Sequence, residues 1–305
     1  MGLGPFEAEF LLAEHQYKPI TGRMLTISRQ TVTMTPDKAL ELLRETNTPV
    51  RPEAKIAIDD KTRGHKTTQE LISDDSFYAL FSDAKLSVLD VSDYEGADVI
   101  HDMNVPIGPD LEGQFDFVIC GSCLDNIFDP VTAMRNLSRL VKPGGRLFSF
   151  EWGAFPTGYL GYSPDWFLDY YAVNRFADCK VYTLQYPGKE GPSSAAPSFD
   201  MYYYDPVVEH SGMIGYQCSN PQYLRYYLSY VIAEKGSDST WNASPIQMHY
   251  RTSDAERKVY VDSALQYKAS PRPLFRREGR PINGDPELSR FGTLKPVASW
   301  DTWKK

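Results

Sequence analysis

The sequence predicts an α/β fold: a doubly wound, mostly parallel sheet followed by a C-terminal extension. Short β-branched and aromatic runs alternate with helical patterns through the first 185 residues, the rhythm of βαβ units. Between Phe115 and Phe150 an apolar run, a capped amphipathic helix, a Gly-Gly turn and a second apolar run follow in order, which places the two runs parallel through a right-handed crossover. Beyond Tyr186 the alternation stops, and Pro187–Ser198 (PGKEGPSSAAPS) reads as a boundary or flap. The expected division is therefore residues 1–186, a ligand-binding α/β domain, and 187–305, an extension that covers the site or contacts another subunit.

The elements follow in order. Phe6, Phe10, Leu11 and Ala13 recur at near-helical spacing over Phe6–His15, and Arg23–Ser28 (RMLTIS) is the first strand. Thr35 caps a helix with Pro36 at its first position; Ala39, Leu40, Leu42 and Leu43 form its apolar face, and it ends near Thr46-Asn47. Arg51–Thr68 is a loop apart from Ile56-Ala57-Ile58, and a short helix spans Leu71–Phe81. Leu86–Val91, Ala97–His101 and Phe115–Cys120 are strands. Asp129-Pro130 starts a helix with Ala133, Met134, Leu137, Leu140 and Val141 on one face. Lys142-Pro143-Gly144-Gly145 stops it, and Arg146–Phe150 is the next strand. Ser163-Pro164-Asp165 opens another helix, Pro221–Glu234 is expected as a helix, and the Pro- and Arg-rich tail after Ser270 as an extended arm.

Composition narrows function. The 305 residues are 42% hydrophobic and 24% charged, enough to bury a sizeable core. A net charge of −8 opposes broad attachment to phosphate backbones or anionic lipid, so neither nucleic acid nor membrane is an expected partner. No run of 18 apolar residues occurs, and Glu7 and Glu9 stand where a secretory signal needs basic residues, which reads as a cytoplasmic chain. Cys120, Cys123, Cys179 and Cys218 are too few for a disulfide scaffold. The C-x-x-C pair lacks a second pair or a fitting His, so no metal site is expected.

In an open parallel sheet ligands bind beyond the carboxyl ends of the strands, near the point where strand order reverses. That rule nominates Ser28-Arg29-Gln30, Asp90-Val91-Ser92, Asp102-Met103-Asn104, Gly121-Ser122 and Glu151-Trp152. Asp90 and Asp102 offer carboxylates where a ribose diol and an adenine amino group each want an acceptor. Both dipeptide contexts are also good turn chemistry.

Leu86–Asn104 (LSVLDVSDYEGADVIHDMN), Phe115–Pro130 (FDFVICGSCLDNIFDP) and Ala133–Phe150 (AMRNLSRLVKPGGRLFSF) together resemble the class I S-adenosylmethionine-dependent methyltransferases, in their short type-11-like form. The resemblance covers about residues 20–185. It implies a Rossmann-like methyltransferase fold, S-adenosyl-L-methionine as cofactor, and a cofactor site at Ser28, Arg29, Gln30, Asp90, Asp102, Met103, Gly121 and Ser122. It implies methyl transfer to an oxygen, with nitrogen second, of a small polar acceptor such as a carbohydrate or natural product. A homodimer is one arrangement it allows.

Two departures stand out. The family's glycine-rich loop after the first strand is replaced by Ser28-Arg29-Gln30-Thr31. Either the Arg29 guanidinium meets the cofactor carboxylate, or the site has decayed and Arg29 pins the loop through backbone carbonyls. Asp125-Asn126 stands where many relatives have Glu-His. Asp125 and His210, with Glu209 and His249 also in the extension, are then the candidates for a catalytic base. The alternative to an enzyme is a catalytically inactive, methyltransferase-like scaffold. The aromatics from Trp152 to Tyr171 suit a pocket wall, a second hydrophobic layer or a dimer contact.

Overall fold

The computed structural model describes residues 2–62, 69–153, 158–185, 198–206, 227–247, 250–277, 279–283 and 294–301. Two compact units emerge, Met1–Phe148 and Ser149–Lys305. The expected boundary at Tyr186 lies outside the described residues.

The first unit carries β1 (Gly2–Leu3), α1 (Pro5–Tyr17), β2 (Arg23–Ile27), β3 (Thr31–Val32), α2 (Pro36–Glu45), α3 (Asp74–Ala79), β4 (Lys85–Asp90), β5 (Val99–Ile100), β6 (Phe115–Gly121), α4 (Pro130–Leu140) and most of β7 (Val141–Trp152). Its main strand order is β7-β6-β2-β4-β5. Strand β2 lies parallel to both β4 and β6, with Met24 facing Leu86 on one side and Phe117 on the other, and β4 is parallel to β5. The order therefore reverses between β2 and β6, as a doubly wound sheet requires. Strand β6 (FDFVICG) is buried at every position but Asp116, the continuous apolar run of a central parallel strand.

Caps fix the helices where side chains can bond the free amides. Thr35 accepts from Lys38 N ahead of Pro36, and Asp129 Oδ1 accepts from Thr132 N at 3.0 Å ahead of Pro130. The face Ala133, Met134, Leu137 and Leu140 of α4 is buried, each large side chain contributing roughly 1.5–3 kcal/mol. Helix α4 then runs into β7 with no separate turn. The Lys142-Pro143-Gly144-Gly145 segment, expected as a stop between helix and strand, is itself part of β7. The chain manages this because Gly144 takes φ +78°, and a Cβ on Gly145 would come within 2.9 Å of Asp116 O.

Arg146 on β7 is 3% exposed and fully engaged. It pairs with Glu14 Oε1 of α1 at 2.5 Å, donates to Pro19 O at 3.0 Å and lies over the Phe117 ring at 5.0 Å.

The second unit departs from the expected plan. It holds α5 (Pro164–Val173), β8 (Asp178–Gln185), β9 (Ser198–Tyr204), β10 (Tyr227–Glu234), α6 (Asp254–Ala269) and β11 (Leu294–Asp301), with strand order β11-β9-β8-β10. Strand β8 pairs antiparallel with both β9 and β10, so the parallel sheet does not extend to residue 185. Strand β11 pairs antiparallel with β9, with a register shift between Pro296 and Ala298. Tyr227–Glu234, expected as helix, is strand. Its core Leu228–Ala233 is buried throughout, and Val231 and Ile232 suit a pleated surface better than a helix. Helix α6 starts with a capping box: Ser253 accepts from Glu256 N, and Glu256 reaches back to the Ser253 amide. The tail, expected as an extended arm, is packed down where it is described: Arg272 is 4% exposed and bonds Asp178 Oδ2 at 2.7 Å and Glu234 Oε2 at 2.8 Å. Of the aromatics from Trp152 to Tyr171, Tyr162, Phe167, Tyr170 and Tyr171 are buried and Tyr159 is exposed, so half of that run is hydrophobic layer.

Breaking the Arg146–Glu14 pair from one side leaves a charge buried without its partner. Glu14→Ala is expected to cost about 3–5 kcal/mol in chemical denaturation, more than Arg146 and Glu14 changed together to Met and Leu.

Candidate functional site

The strand order places one cleft at the expected position. A cavity of about 510 Å³ opens beyond the carboxyl ends of β2, β4 and β5 and before α4. Ser28, Asp90, His101, Asp102, Met103 and Asn126 are among the residues that line it.

Asp90 closes β4, half-buried, and its Oδ1 accepts from Val91 N at 2.6 Å. The Asp102 carboxylate is exposed and is fixed by Asn104, whose backbone amide and side-chain amide both donate to Oδ1, at 2.9 and 2.8 Å. Those two donors hold its pKa below the usual carboxylate value, so it is ionised across the physiological range. Asn104 Oδ1 in turn accepts from Asp129 N at 2.9 Å, tying this loop to the cap of α4. Met103 is buried between these polar groups and offers an apolar wall. His101 Nε2 bonds Val105 O at 2.8 Å across the same turn. Cys123, a buried thiol, lines the cleft and donates to Ile27 O at 3.1 Å.

Other expected site residues stand differently. Ser28 takes φ +56°, the turn that glycine ordinarily supplies, but its amide donates to Leu89 O at 2.7 Å. Arg29 is 3% exposed, and its guanidinium is spent inside the protein. Nη1 bonds both Asp74 oxygens at 2.8 and 2.9 Å, Nε donates to Glu95 O at 2.6 Å and Nη2 to Gly96 O at 3.0 Å. Arg29 therefore pins the loop after β4 to α3, the second of the two roles open to it in the sequence, with four of its five N–H groups engaged within the protein, while the residue itself is among those that line the cleft. Burial outweighs the guanidinium's attraction at Asp74 and pushes its pKa up to about 6.

Gln30 is buried against the same turn, donating through Nε2 to Ile27 O at 3.1 Å and to Ser28 O at 3.3 Å, while its Oε1 has no partner among the described residues. Gly121 ends β6, and Ser122 follows at φ +51° with a buried hydroxyl that also lacks a partner. Neither Gln30 nor Ser122 is among the cleft-lining residues. Asp125 is 3% exposed, sits beside lining residue Asn126, whose Nδ2 donates to its Oδ1 at 3.0 Å, and burial pushes its carboxyl up to about 6. His210, Glu209 and His249 lie outside the described residues.

Residues 90–149 match the methyltransferase domain family. The matched segment starts at Asp90, ends on β7 and contains Asp102, Met103, Cys123 and Asn126 of the cleft wall. The ubiquinone biosynthesis O-methyltransferases of Pseudomonas paraeruginosa and Pseudomonas aeruginosa are 41% identical to the chain over 51 residues, 17% of this chain and 22% of theirs. The chain thus matches about a fifth of the length of these curated relatives. Among solved structures, phosphoethanolamine N-methyltransferase 2 of Haemonchus contortus is similar with a TM-score of 0.38, 12% identity and coverage of 75% of this chain and 52% of that one. The CMeT domain of the citrinin polyketide synthase gives 0.37, 12%, 76% and 52%. These two scores describe a distant likeness.

Arg29 thus joins Asp90 and Asp102 in the cleft wall while its guanidinium braces the fold. Arg29→Met strands the buried Asp74 carboxylate and is expected to lower unfolding free energy by about 3–5 kcal/mol in urea titrations.

Proposed function

We propose that the chain is an S-adenosylmethionine-dependent methyltransferase that transfers a methyl group to an oxygen, with nitrogen second, of a small polar acceptor such as a carbohydrate or natural product. The observation that carries this reading is the convergence of Asp90 and Asp102, at neighbouring parallel strand ends within the family-matched segment, on one cavity of about 510 Å³. The O-methyltransferase match over 51 residues supports oxygen as the receiving atom.

The cleft suits the nucleoside part of that cofactor. Asp90 is an acceptor for vicinal hydroxyls, Asp102 an ionised acceptor for an amino group, and Met103 an apolar surface for a flat ring. When bound, S-adenosylmethionine supplies an electrophilic methyl group on a sulfonium. The residues then have to orient the acceptor, exclude water and remove a proton if the acceptor is a hydroxyl. In this reading Asp125, next to the cleft-lining Asn126 though not itself in the wall, is the described candidate for the base. Its carboxyl, held up to about 6 by burial, is ionised at neutral pH and is more basic than an ordinary aspartate. The acceptor is a small molecule in this reading, the site is cytoplasmic, and nucleic acid and membrane are not partners.

A second reading, a catalytically inactive scaffold, has its own observation: the Ser28 amide and the Arg29 guanidinium, the two groups nearest the missing glycine loop, are both engaged within the protein. Calorimetric titration separates the two. The enzyme reading expects micromolar binding of S-adenosylhomocysteine, weakened at least tenfold in Asp90→Ala, about 1.4 kcal/mol or more. Absence of heat at millimolar ligand favours the scaffold.

Asp125→Asn tests the base. Radiolabelled methyl transfer to a panel of hydroxylated acceptors should fall by roughly 10²-fold or more, with cofactor affinity kept. The raised pKa also fixes the sign of a stability effect. The folded protein holds this proton more tightly than the unfolded chain, so ionisation costs stability as pH rises from about 4 to above 6. The amide variant should melt higher than the parent at pH 8, by on the order of 1 kcal/mol, and the gap should close near pH 4.

A further inference from the structure

We propose that the second unit carries a binding site for a neutral polyhydroxylated ligand, gripped by a vicinal diol edge in the cavity lined by α5 and α6. The cavity, of about 70 Å³, has room for several waters or the edge of a small polyol. Helical spacing builds it. Asp165 and Asp169 stand one turn apart on α5, Tyr260 and Tyr267 two turns apart on α6, and Tyr204 and Arg251 complete the wall.

The polar atoms of this wall are of two kinds, and both are left incomplete. On the donor side, the Tyr267 hydroxyl belongs to a residue 1% exposed; it stands by Ser263, whose own hydroxyl donates to Ala172 O, and makes no hydrogen bond of good geometry among the described residues. Arg251 is 8% exposed. It donates through Nε to Ile246 O at 2.8 Å, stacks 3.3 Å from the Tyr260 ring centroid, and brings Nη2 to 2.5 Å from Asp169 Oδ1 without hydrogen-bond alignment. On the acceptor side, among the described residues, Asp165 receives one bond at Oδ1, from the Tyr204 hydroxyl at 2.6 Å, and Asp169 meets Arg251 alone. Burial pushes both carboxyls up, Asp169 to about 6, which marks carboxylates whose lost hydration the protein replaces only in part.

Ligand chemistry follows by matching these needs. An anion meets two carboxylates against one guanidinium and is repelled. An ammonium satisfies Asp165 and Asp169 but has no lone pair for Tyr267 or Arg251. An apolar group leaves every one of them unpaired. A hydroxyl both donates and accepts, and two adjacent hydroxyls can serve both sets at once, one accepting from Tyr267 and the other from Arg251 while each donates to a carboxylate. The tyrosine rings of the wall then cover the carbon face of such a ligand. This site involves only the second unit and stands whether or not the first unit transfers a methyl group.

Saturation-transfer NMR on the full chain tests it, with no methyl donor present. The ligands are methyl glucoside, methyl galactoside, methyl mannoside and myo-inositol, which between them present cis and trans diols, with methylammonium and acetate as charged comparators. At least one polyol should receive saturation, and neither comparator should displace it. Tyr267→Phe, which removes one oxygen, should weaken that binding about fivefold or more. Ala264→Leu, which fills the cavity and keeps every polar group, should abolish it with the thermal transition retained. The proposal is overturned if none of the four polyols binds, if binding is unchanged in both variants, or if methylammonium or acetate binds in their place.

Discussion

A single guanidinium organises the ligand end of the first unit. Arg29 follows the left-handed turn at the end of β2 and reaches two partners far along the chain: the start of α3 through Asp74, and the loop after β4 through the carbonyls of Glu95 and Gly96. Four of its five N–H groups have no easy substitute, because the site is buried and each unpaired acceptor would carry its full desolvation cost. The geometry of the cleft rests on this junction. With it in place, Ser28 and Asp90 stand on adjacent strands at fixed separation, and the loop carrying Tyr94 and Glu95 becomes a wall of the cavity. The family's usual solution is a glycine turn that leaves backbone amides open to the ligand. Here the same bend is made by a serine and braced from within.

Much of the first unit was legible because its signals are local. Thr35-Pro36 and Asp129-Pro130 each combine an amide acceptor with a residue that has no amide to satisfy, and both start helices where read. The strands Arg23–Ile27, Lys85–Asp90 and Phe115–Gly121 sit within a residue or two of their expected limits because each is an apolar run bounded by turn chemistry. In the second unit the signals are non-local. Tyr227–Glu234 has aromatics at spacings that fit either a helix or a strand, and what decides is its pairing with Asp178–Gln185 some fifty residues earlier. Strands Ser198–Tyr204 and Leu294–Asp301 pair across almost a hundred residues, with nothing in either segment naming the other. Helix α6, by contrast, was readable from Ser253-x-x-Glu256.

The site divides the same way. Asp90, Asp102 and Met103 reach the cleft because strand-end position alone puts them there. The fate of Arg29 was not readable, since its partners lie 45 and 66 residues away and an arginine looks the same whether it meets a ligand or an aspartate. Nor did spacing give any warning of Asp165 and Asp169 facing Arg251, which the chain brings together from two elements over eighty residues apart.

The strand at the margin of the second unit's sheet repays attention for a different reason. A row of unpaired amides and carbonyls is a template on which other chains can add. Strand β11 occupies that margin with Pro296, which has no amide to offer, Lys295 beside it, and a slipped register immediately after. Each feature spoils the template: a missing donor, a charge to be desolvated, and a local twist that breaks the regular repeat. For a unit this rich in tyrosine and β-branched residues, such a blunted margin favours remaining dispersed over stacking into fibres.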